Sequence, residues 1–199
     1  MSERSWVVHL LGHPAAGKRT VGVELVAASE RAGPSRFVLI DNHLTSNPVL
    51  AVLDQGGVGT VGDDVWDRVD EVRDVVLRAI VELAPPERTF VFTNVAVEGR
   101  ERSLEGVRRI ERLAADRDST YVPVVLHCDR DELLRRVPNV DRRTHGKWTA
   151  PDEVAAHLDR THLYRPGSPH RLELDTTTAS PATTARAILA HLSSLSTEG

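Results

Sequence analysis

A six-residue apolar run, WVVHLL (6–11), leads into a turn with a glycine near each end, GHPAAGKRT (12–20), and then into a helix-like segment. A glycine-rich turn between a strand and a helix directs backbone N–H groups toward one point, where they can bind an anion. Gly12, Gly17 and Lys18 have the spacing of the phosphate-binding loop G-x-x-x-x-G-K. The stretch therefore predicts an α/β fold with a phosphate site after its first strand.

The loop departs from the usual pattern at its end. A Ser or Thr normally follows the lysine directly, but here Arg19 takes that position and Thr20 comes one residue later. Of the 25 basic residues, only Lys18 and Lys147 are lysines. A compact ammonium fits inside a phosphate loop more readily than a guanidinium fork. This bias singles out both lysines as candidate phosphate ligands.

Strand-like and helix-like runs alternate along the rest of the chain. This pattern predicts a parallel sheet with helices on both faces and a site at the carboxyl ends of the strands. By contrast, residues 42–62 contain Pro48 and four glycines and predict a mobile loop. The predicted strands are 6–11, 36–40, 89–94, 121–128 and 170–175, and the predicted helices are 18–31, 63–83, 100–117, 129–137, 151–163 and 181–195.

Composition excludes several classes of protein. A chain of 199 residues suits a single domain, 1–199. The net charge of −4 provides no global basic field for nucleic acid, and no apolar stretch approaches the roughly 18 residues of a membrane span. The single cysteine, Cys128, excludes an internal disulfide and a multi-cysteine zinc site. With no signal-peptide pattern, we expect a cytoplasmic protein; nothing in the sequence indicates an oligomeric state.

The phosphate loop resembles the adenylate-kinase form, G-x-P-G-x-G-K-G-T, of the nucleoside monophosphate kinase-like P-loop kinases, which include shikimate and gluconate kinases. Ala15 and Arg19 replace two of its glycines. The resemblance implies a five-stranded sheet ordered 2-3-1-4-5, ATP and Mg²⁺ as cofactors, and Thr20 near the metal or the α-phosphate. The loop residues that would contact the nucleotide are Gly12, His13, Pro14, Ala15, Ala16, Gly17, Lys18, Arg19 and Thr20.

Asp41 ends the second predicted strand and opens the candidate acceptor region, 41–62. In the hydroxyl kinases that the chain resembles, an aspartate at this place contacts the acceptor hydroxyl. A carboxylate can hold a hydroxyl in line with the γ-phosphorus. His43 is a candidate for hydrogen bonding to the same substrate. The alternative is a turn-forming Asp-Asn pair without a catalytic role.

The third predicted strand ends in Thr93 and Asn94, where related enzymes place a residue near magnesium. No aspartate follows here, so a carboxylate ligand for the metal is not indicated. Asn94, Glu98 and Arg100 are candidates for lining the acceptor pocket. Surface positions around a helix start are the alternative for the last two.

A basic segment, RRVPNVDRRTHGKW (135–148), follows the fourth strand and its helix. The resemblance places a lid here, at about 136–150, whose cations offset the charge on the transferring phosphoryl group. The alternative is a solvated charged surface. The candidate lid cations are Arg136, Arg142, Arg143 and Lys147.

The turn after the fifth predicted strand, LDTTTASP (174–181), lies beside the adenine in the proteins that the chain resembles. Asp175 and Thr176 are the candidates for that contact. A capping turn before the last helix is equally compatible with the sequence.

Together these features predict an ATP-dependent kinase that phosphorylates a hydroxyl of a small molecule, such as a sugar acid, a nucleoside or an antibiotic-like compound. A nucleoside monophosphate kinase is one alternative, although it would need an arginine-rich acceptor pocket and residues 42–62 contain no Arg or Lys. A non-catalytic ATP-binding regulatory module is the other.

Overall fold

The computed structural model describes residues 5–32, 37–53, 61–139 and 149–197. Strands and helices alternate through these ranges, as the hydrophobic pattern predicts. In chain order they are β1 (Trp6–Leu11), α1 (Lys18–Ala32), β2 (Phe37–Asp41), α2 (His43–Val52), α3 (Asp63–Leu83), β3 (Thr89–Asn94), α4 (Glu101–Asp116), β4 (Thr120–His127), α5 (Arg130–Arg136), α6 (Pro151–Arg160), β5 (Leu172–Asp175) and α7 (Pro181–Thr197).

The five strands form one parallel sheet in the order β2-β3-β1-β4-β5, which confirms the expected architecture. Leu11 of β1 lies opposite Asn94 of β3, and Asp41 of β2 lies opposite Thr93. The carboxyl ends of these three strands therefore meet at one edge of the sheet. The phosphate loop that follows β1 begins at this same edge.

Helices cover both faces of the sheet, so β1 is buried along its whole length. Alternate side chains of a strand point to opposite faces, and those of β1 enter two separate cores. Val8 and Leu10 pack in the core formed with α1 and α7, while Val7 packs in the core formed with α3 and α4. His9 points to the same face as Val7 and is fully buried.

The expectation of a loop over 42–62 is wrong for residues 43–52, which form α2 despite Pro48 within it. The backbone N–H of His43 donates to Asp41 Oδ1, and the hydroxyls of Thr45 and Ser46 donate to the Asn42 carbonyl, so polar groups at the helix start are satisfied locally. The helix also packs against α3. This tertiary packing outweighs the proline.

Helix α6 ends at Arg160 and not at 163 as expected. The chain after it pairs instead with the segment that follows β3. Glu98 N donates to the His162 carbonyl at 2.9 Å, and Tyr164 N donates to the Ala96 carbonyl at 2.9 Å. The end of α6 is thereby held beside the carboxyl end of β3.

Within the described ranges, no helix is both long enough and apolar enough to cross a lipid bilayer.

Candidate functional site

The phosphate loop has the backbone geometry of an anion-binding turn. Gly17 has φ 86° and Ala15 has φ 70°, both in the left-handed region. Gly12 is required by close approach, because a Cβ atom there would lie 3.0 Å from the Leu126 carbonyl oxygen of β4. The turn leads into the first turn of α1, whose N–H groups have no partner within the helix. These groups and the helix dipole favour a bound anion.

Gly17 and Gly106 allow a matched test of this backbone geometry. A Cβ atom meets no heavy atom within 4 Å at either position, but only Gly17 has a positive φ. We expect Gly17→Ala to lower the free energy of unfolding by about 1 kcal/mol through backbone strain. Gly106→Ala, in the middle of α4, should raise it by about 0.5–1 kcal/mol. Denaturant midpoints measure both changes; equal effects of the two substitutions would contradict the left-handed turn.

Lys18 is held at the mouth of the loop. Its Nζ donates to the carbonyls of Gly12 at 2.7 Å and His13 at 2.8 Å. These contacts keep the ammonium close to the point toward which the loop N–H groups are directed. The lysine therefore occupies the place that the spacing of the motif predicts for a phosphate ligand.

A single cavity of about 1510 Å³ connects this loop to the carboxyl ends of β2 and β3. It is larger than the roughly 300–1,000 Å³ of a pocket for one drug-sized ligand, so it has room for two substrates side by side. Loop residues 14–20 line one end. Among the other predicted site residues, Asp41, His43, Asn94, Arg100, Arg136 and Thr176 also line it.

Asp41 is a buried carboxylate at the end of β2, with its side chain 10% exposed. Its Oδ1 accepts the backbone N–H of His43 at 3.0 Å and faces His43 Nδ1 at 2.9 Å. Both contacts orient the carboxylate at the cavity wall. The structure therefore brings Asp41 and His43 together in one cavity with Lys18, as the sequence predicted.

A buried polar chain runs through the sheet to the residue beside Asp41. His9 Nδ1 lies 3.0 Å from Tyr121 Oη, and its Nε2 lies 2.9 Å from Asn94 Oδ1. Asn94 Nδ2 donates to Asn42 Oδ1 at 3.2 Å, and Arg73 Nη2 donates to the same oxygen at 2.9 Å. Arg73 also pairs with Asp70. Polar groups this deep in a core are tolerated because they are hydrogen-bonded.

His9 makes stability dependent on pH. Burial lowers the pKa of His9 to about 4, so the unfolded chain binds a proton at His9 in a pH range where the folded protein does not. The contribution of neutral His9 to the free energy of unfolding is complete above pH ~6.5. It is lost as pH falls toward about 4, where this free energy should be lower by roughly 3 kcal/mol. Unfolding curves between pH 4 and 7 measure this loss.

The controls for this pH effect are two histidine substitutions. His9→Gln should remove the roughly 3 kcal/mol that His9 contributes and leave the part that His13 and His157, whose pKa values are also lowered, contribute. His162→Gln, at an exposed position, should retain the His9 contribution. An unchanged pH dependence in His9→Gln would show that His9 is not the group responsible.

Arg136 has local partners in this structure. Its guanidinium pairs with Glu132 at 2.6 Å and donates to the carbonyls of Thr176 and Thr177 at 2.7 and 3.0 Å. It therefore links α5 to the turn after β5. The other predicted lid cations, Arg142, Arg143 and Lys147, lie outside the described residues.

Arg100 and Arg160 differ from Arg136 in their contacts. Both line the cavity, and neither forms an ion pair within the part of the chain that the structure describes. The pairing between residues 96–98 and 162–164 brings them to the same side of the cavity. Their charges, with that of Lys18, contribute to lowering the pKa of buried His157, for which burial is the largest cause.

His13 of the phosphate loop contacts His157 of α6 edge to face, with ring centroids 5.7 Å apart. Burial and the neighbouring His157 and Lys18 lower the pKa of His13 to about 4, so the ring is neutral at pH 7. This contact packs α6 against the phosphate loop. Neither Gly12 nor His13 lines the cavity.

The remaining predicted residues lie at the periphery. The Thr176 side chain is buried against the loop, with Oγ1 3.1 Å from the Ala16 carbonyl and 2.8 Å from that of His127. Asp175 is exposed, and its Oδ1 accepts the Thr177 N–H at 2.7 Å. Glu98 is also exposed. Asp175 and Glu98 are not among the residues that line the cavity.

The fit of Mg²⁺ depends on oxygen ligands, since this ion binds one or two protein oxygens together with phosphates and waters. Thr20 lines the cavity on the first turn of α1 and is exposed. Among the described residues, no group of three or more His, Cys, Asp or Glu side chains could hold a metal ion. A magnesium ion in this cavity would therefore be held mainly by phosphate oxygens and waters, with Thr20 as the candidate protein ligand.

Several residues that line the cavity were not predicted. They include Asn42, Asp70, Arg73, His157 and Arg160. Asn42 could have been predicted from the sequence, because it directly follows Asp41. Arg73 and Arg160 lie on amphipathic helices, where an arginine normally indicates only a solvated face.

No family model matches the sequence, and no match was found among curated proteins. Solved structures match nearly the whole chain. A gluconokinase from Sinorhizobium meliloti 1021 has a TM-score of 0.62 at 17% identity, over 99% of this chain and 95% of that one. The Mycobacterium tuberculosis APS kinase CysC, in complex with AMPPNP and APS, has a TM-score of 0.59 at 16% identity, over 96% and 98%.

A thymidylate kinase from Candida albicans has a TM-score of 0.58 at 13% identity, over 96% of this chain and 92% of that one. At such identities the likeness concerns the fold. The phosphate loop, the strand order and these structural matches agree: the chain has the fold of the nucleoside monophosphate kinase-like P-loop kinases.

Proposed function

We propose that the protein is an ATP-dependent kinase that transfers the γ-phosphoryl group of Mg-ATP to a hydroxyl of a small molecule. One observation carries the proposal: a single cavity contains both the phosphate loop with Lys18 and the buried carboxylate of Asp41. The gluconokinase and the AMPPNP-bound APS kinase among the similar structures support a nucleotide-dependent role for this fold.

The phosphate end of the cavity would hold the nucleotide. The N–H groups of the loop and of the first turn of α1 bind phosphate oxygens, and the Lys18 ammonium adds charge. When bound with ATP, Mg²⁺ would neutralise phosphate oxygens, with Thr20 as its protein ligand. The turn after β5, whose Thr176 lines the cavity although Asp175 does not, would lie beside the adenine.

The acceptor end would position the hydroxyl. Phosphoryl transfer depends mainly on in-line positioning and on stabilising the charge of the transferring group. Asp41 would accept the hydrogen bond of the acceptor hydroxyl and receive its proton as the new P–O bond forms and the bond from the γ-phosphorus to the bridging oxygen of ADP breaks. His43 fixes the orientation of that carboxylate.

Residues 136–150 would act as a lid over the phosphates within a single domain. Arg142, Arg143 and Lys147 would then add positive charge around the transferring group. Arg136 would keep α5 in contact with the turn after β5, as its hydrogen bonds indicate.

A nucleoside monophosphate kinase is the second candidate, and one observation favours it. Arg100 and Arg160 bring basic groups to the cavity, although residues 42–62 contain none. Two guanidinium groups without ion pairs in the described part of the chain suit an anionic acceptor. A buried carboxylate at Asp41 favours the hydroxyl kinase, because an acceptor that is already anionic needs no base.

Mg-ATP-dependent ADP release tests the proposal against a panel of sugar acids, nucleosides, aminoglycosides and nucleoside monophosphates. Stimulation by a hydroxyl compound without a phosphate supports it. Stimulation by monophosphates alone would establish the second candidate in its place. ATP binding without stimulation by any compound would indicate a regulatory module and contradict the kinase proposal. Lys18→Ala provides the background rate.

A further inference from the structure

Each hydrogen bond of the polar chain that ends beside Asp41 has one possible donor and one possible acceptor, and Arg73 determines which atom is which. A guanidinium carries only hydrogen-bond donors, so the Asn42 atom that lies 2.9 Å from Arg73 Nη2 must be the amide oxygen. The Asn94 atom that approaches the same oxygen at 3.2 Å must then be its NH₂ group. Reversing the Asn42 amide would bring two donors together, and reversing the Asn94 amide would bring two oxygen acceptors together.

The same reasoning continues into the sheet. With its NH₂ group on Asn42, Asn94 presents its oxygen to His9, so Nε2 of His9 carries the proton. The ring is neutral, because burial lowers the pKa of His9. Its Nδ1 therefore accepts the hydroxyl proton of Tyr121, whose own pKa is raised by burial. A single assignment of protons satisfies every hydrogen bond from Tyr121 to Asn42.

The consequence is that the Asn42 amide is fixed with its nitrogen available to a ligand. Two donors occupy Oδ1, and Nδ2 makes no hydrogen bond to any residue that the structure describes. Nδ2 is also not among the buried polar atoms that lack a partner, and Asn42 lines the cavity. An N–H donor thus stands directly after the Asp41 carboxylate in the chain.

We propose that Asp41 and Asn42 recognise a vicinal diol, with Asp41 accepting from the hydroxyl that is phosphorylated and Asn42 Nδ2 donating to the neighbouring oxygen. This inference rests on the proposed kinase function and specifies its acceptor as a sugar or a sugar-derived polyol. Arg73 and Asn94 act on this contact as positioning residues, because their hydrogen bonds fix the Asn42 amide, and His9 does so through Asn94.

The charged groups around Asn42 favour an uncharged ligand group beside its amide. The Arg73 side chain is 16% exposed and belongs to an ion-pair cluster, because it pairs with Asp70, which also pairs with Arg102 and Arg109. Asp41 would repel an anionic group placed directly beside it. Two neighbouring hydroxyls, which both donate and accept hydrogen bonds, suit an acceptor and a donor on consecutive residues that line one cavity better than an isolated hydroxyl does.

The proton arrangement can be tested without any substrate. Nitrogen-15 NMR of the histidine rings should show His9 as a neutral ring protonated at Nε2 at pH 7, and His9→Gln assigns the signal. A ring protonated at Nδ1 would exchange donors and acceptors from His9 to Asn42. It would overturn the proposal, because the Asn42 nitrogen would no longer be available to a ligand.

The ligand class is tested by binding of matched pairs in the presence of Mg-AMPPNP. The pairs are methyl ribofuranoside and methyl 2-deoxyribofuranoside, and adenosine and 2′-deoxyadenosine, because the deoxy member of each pair has no vicinal diol. We expect at least one diol to bind about tenfold more tightly than its deoxy analogue, as one hydrogen bond provides. Asn42→Asp, which removes both N–H donors, should reduce this ratio to about threefold or less.

Asn47→Asp is the matched control, since Asn47 lies on α2, which begins directly after Asn42, and does not line the cavity; it should retain the wild-type ratio. Equal binding within every pair, no binding of any member, or a ratio that survives in Asn42→Asp would overturn the diol assignment. Selective binding without ADP release would leave the diol site in place and contradict the kinase function.

Discussion

Replacing Lys18 by alanine is expected to reduce kcat/KM for Mg-ATP-dependent transfer by at least about 100-fold, the scale of removing one preorganised charge contact from a transferring group. The Lys18 ammonium is held at the mouth of the loop by the Gly12 and His13 carbonyls. Alanine removes that charge from the position where the β- and γ-phosphates would lie. Lys18→Arg should also lose most activity, because the larger guanidinium does not fit the same place.

Steady-state kinetics and equilibrium binding of an ATP analogue measure the effect of Lys18→Ala. The control is Arg186→Ala, which removes an exposed cation from α7 outside the cavity and should leave both quantities unchanged. Unaltered activity in Lys18→Ala would mean that the phosphate loop does not hold the reacting nucleotide.

Replacing Asp41 by asparagine is expected to lower kcat by about 100- to 10,000-fold, the range of a positioned general base. The KM for ATP should change by no more than about twofold, because the proposal assigns Asp41 to the acceptor hydroxyl and not to the nucleotide. An amide oxygen can still accept the two contacts that His43 makes with Oδ1. The variant should therefore fold, and its loss of activity can be attributed to the missing carboxylate.

Asp116→Asn is the matched control for this change, since Asp116 is exposed on α4 and does not line the cavity. Its kinetics should equal those of the wild type. If Asp41→Asn kept the wild-type kcat, the assignment of Asp41 to the acceptor hydroxyl would be wrong. A loss of ATP affinity in this variant would place Asp41 at the nucleotide instead.

The fold could be predicted because its signals are local. Residues 12–20 combine spacing, flanking strand and following helix in one stretch, and the alternating hydrophobic runs specify a parallel sheet with both faces covered. The positions of the phosphate loop and of Asp41 were predictable for the same reason, since each lies at the carboxyl end of a strand. Their meeting in one cavity then follows from the register of β1, β2 and β3.

The rest of the site depends on contacts between distant parts of the chain. Asn42 and Arg73 are 31 residues apart, and Asn94 and His9 are 85 apart, so no local pattern reveals their pairing. Arg160 reaches the cavity because the chain after α6 pairs with the segment after β3. Helix α2 was missed because Pro48 and the nearby glycines indicate a loop, whereas packing against α3 favours a helix.

Transfer of phosphorus is the most direct test of the central claim. The protein would be incubated with γ-³²P-labelled Mg-ATP and each compound that stimulates ADP release, and the labelled product identified as a phosphomonoester. We expect one label in the acceptor for each ADP formed, with no transfer by Lys18→Ala or Asp41→Asn. Label found only in inorganic phosphate, at the same rate with and without acceptor, would contradict a hydroxyl kinase.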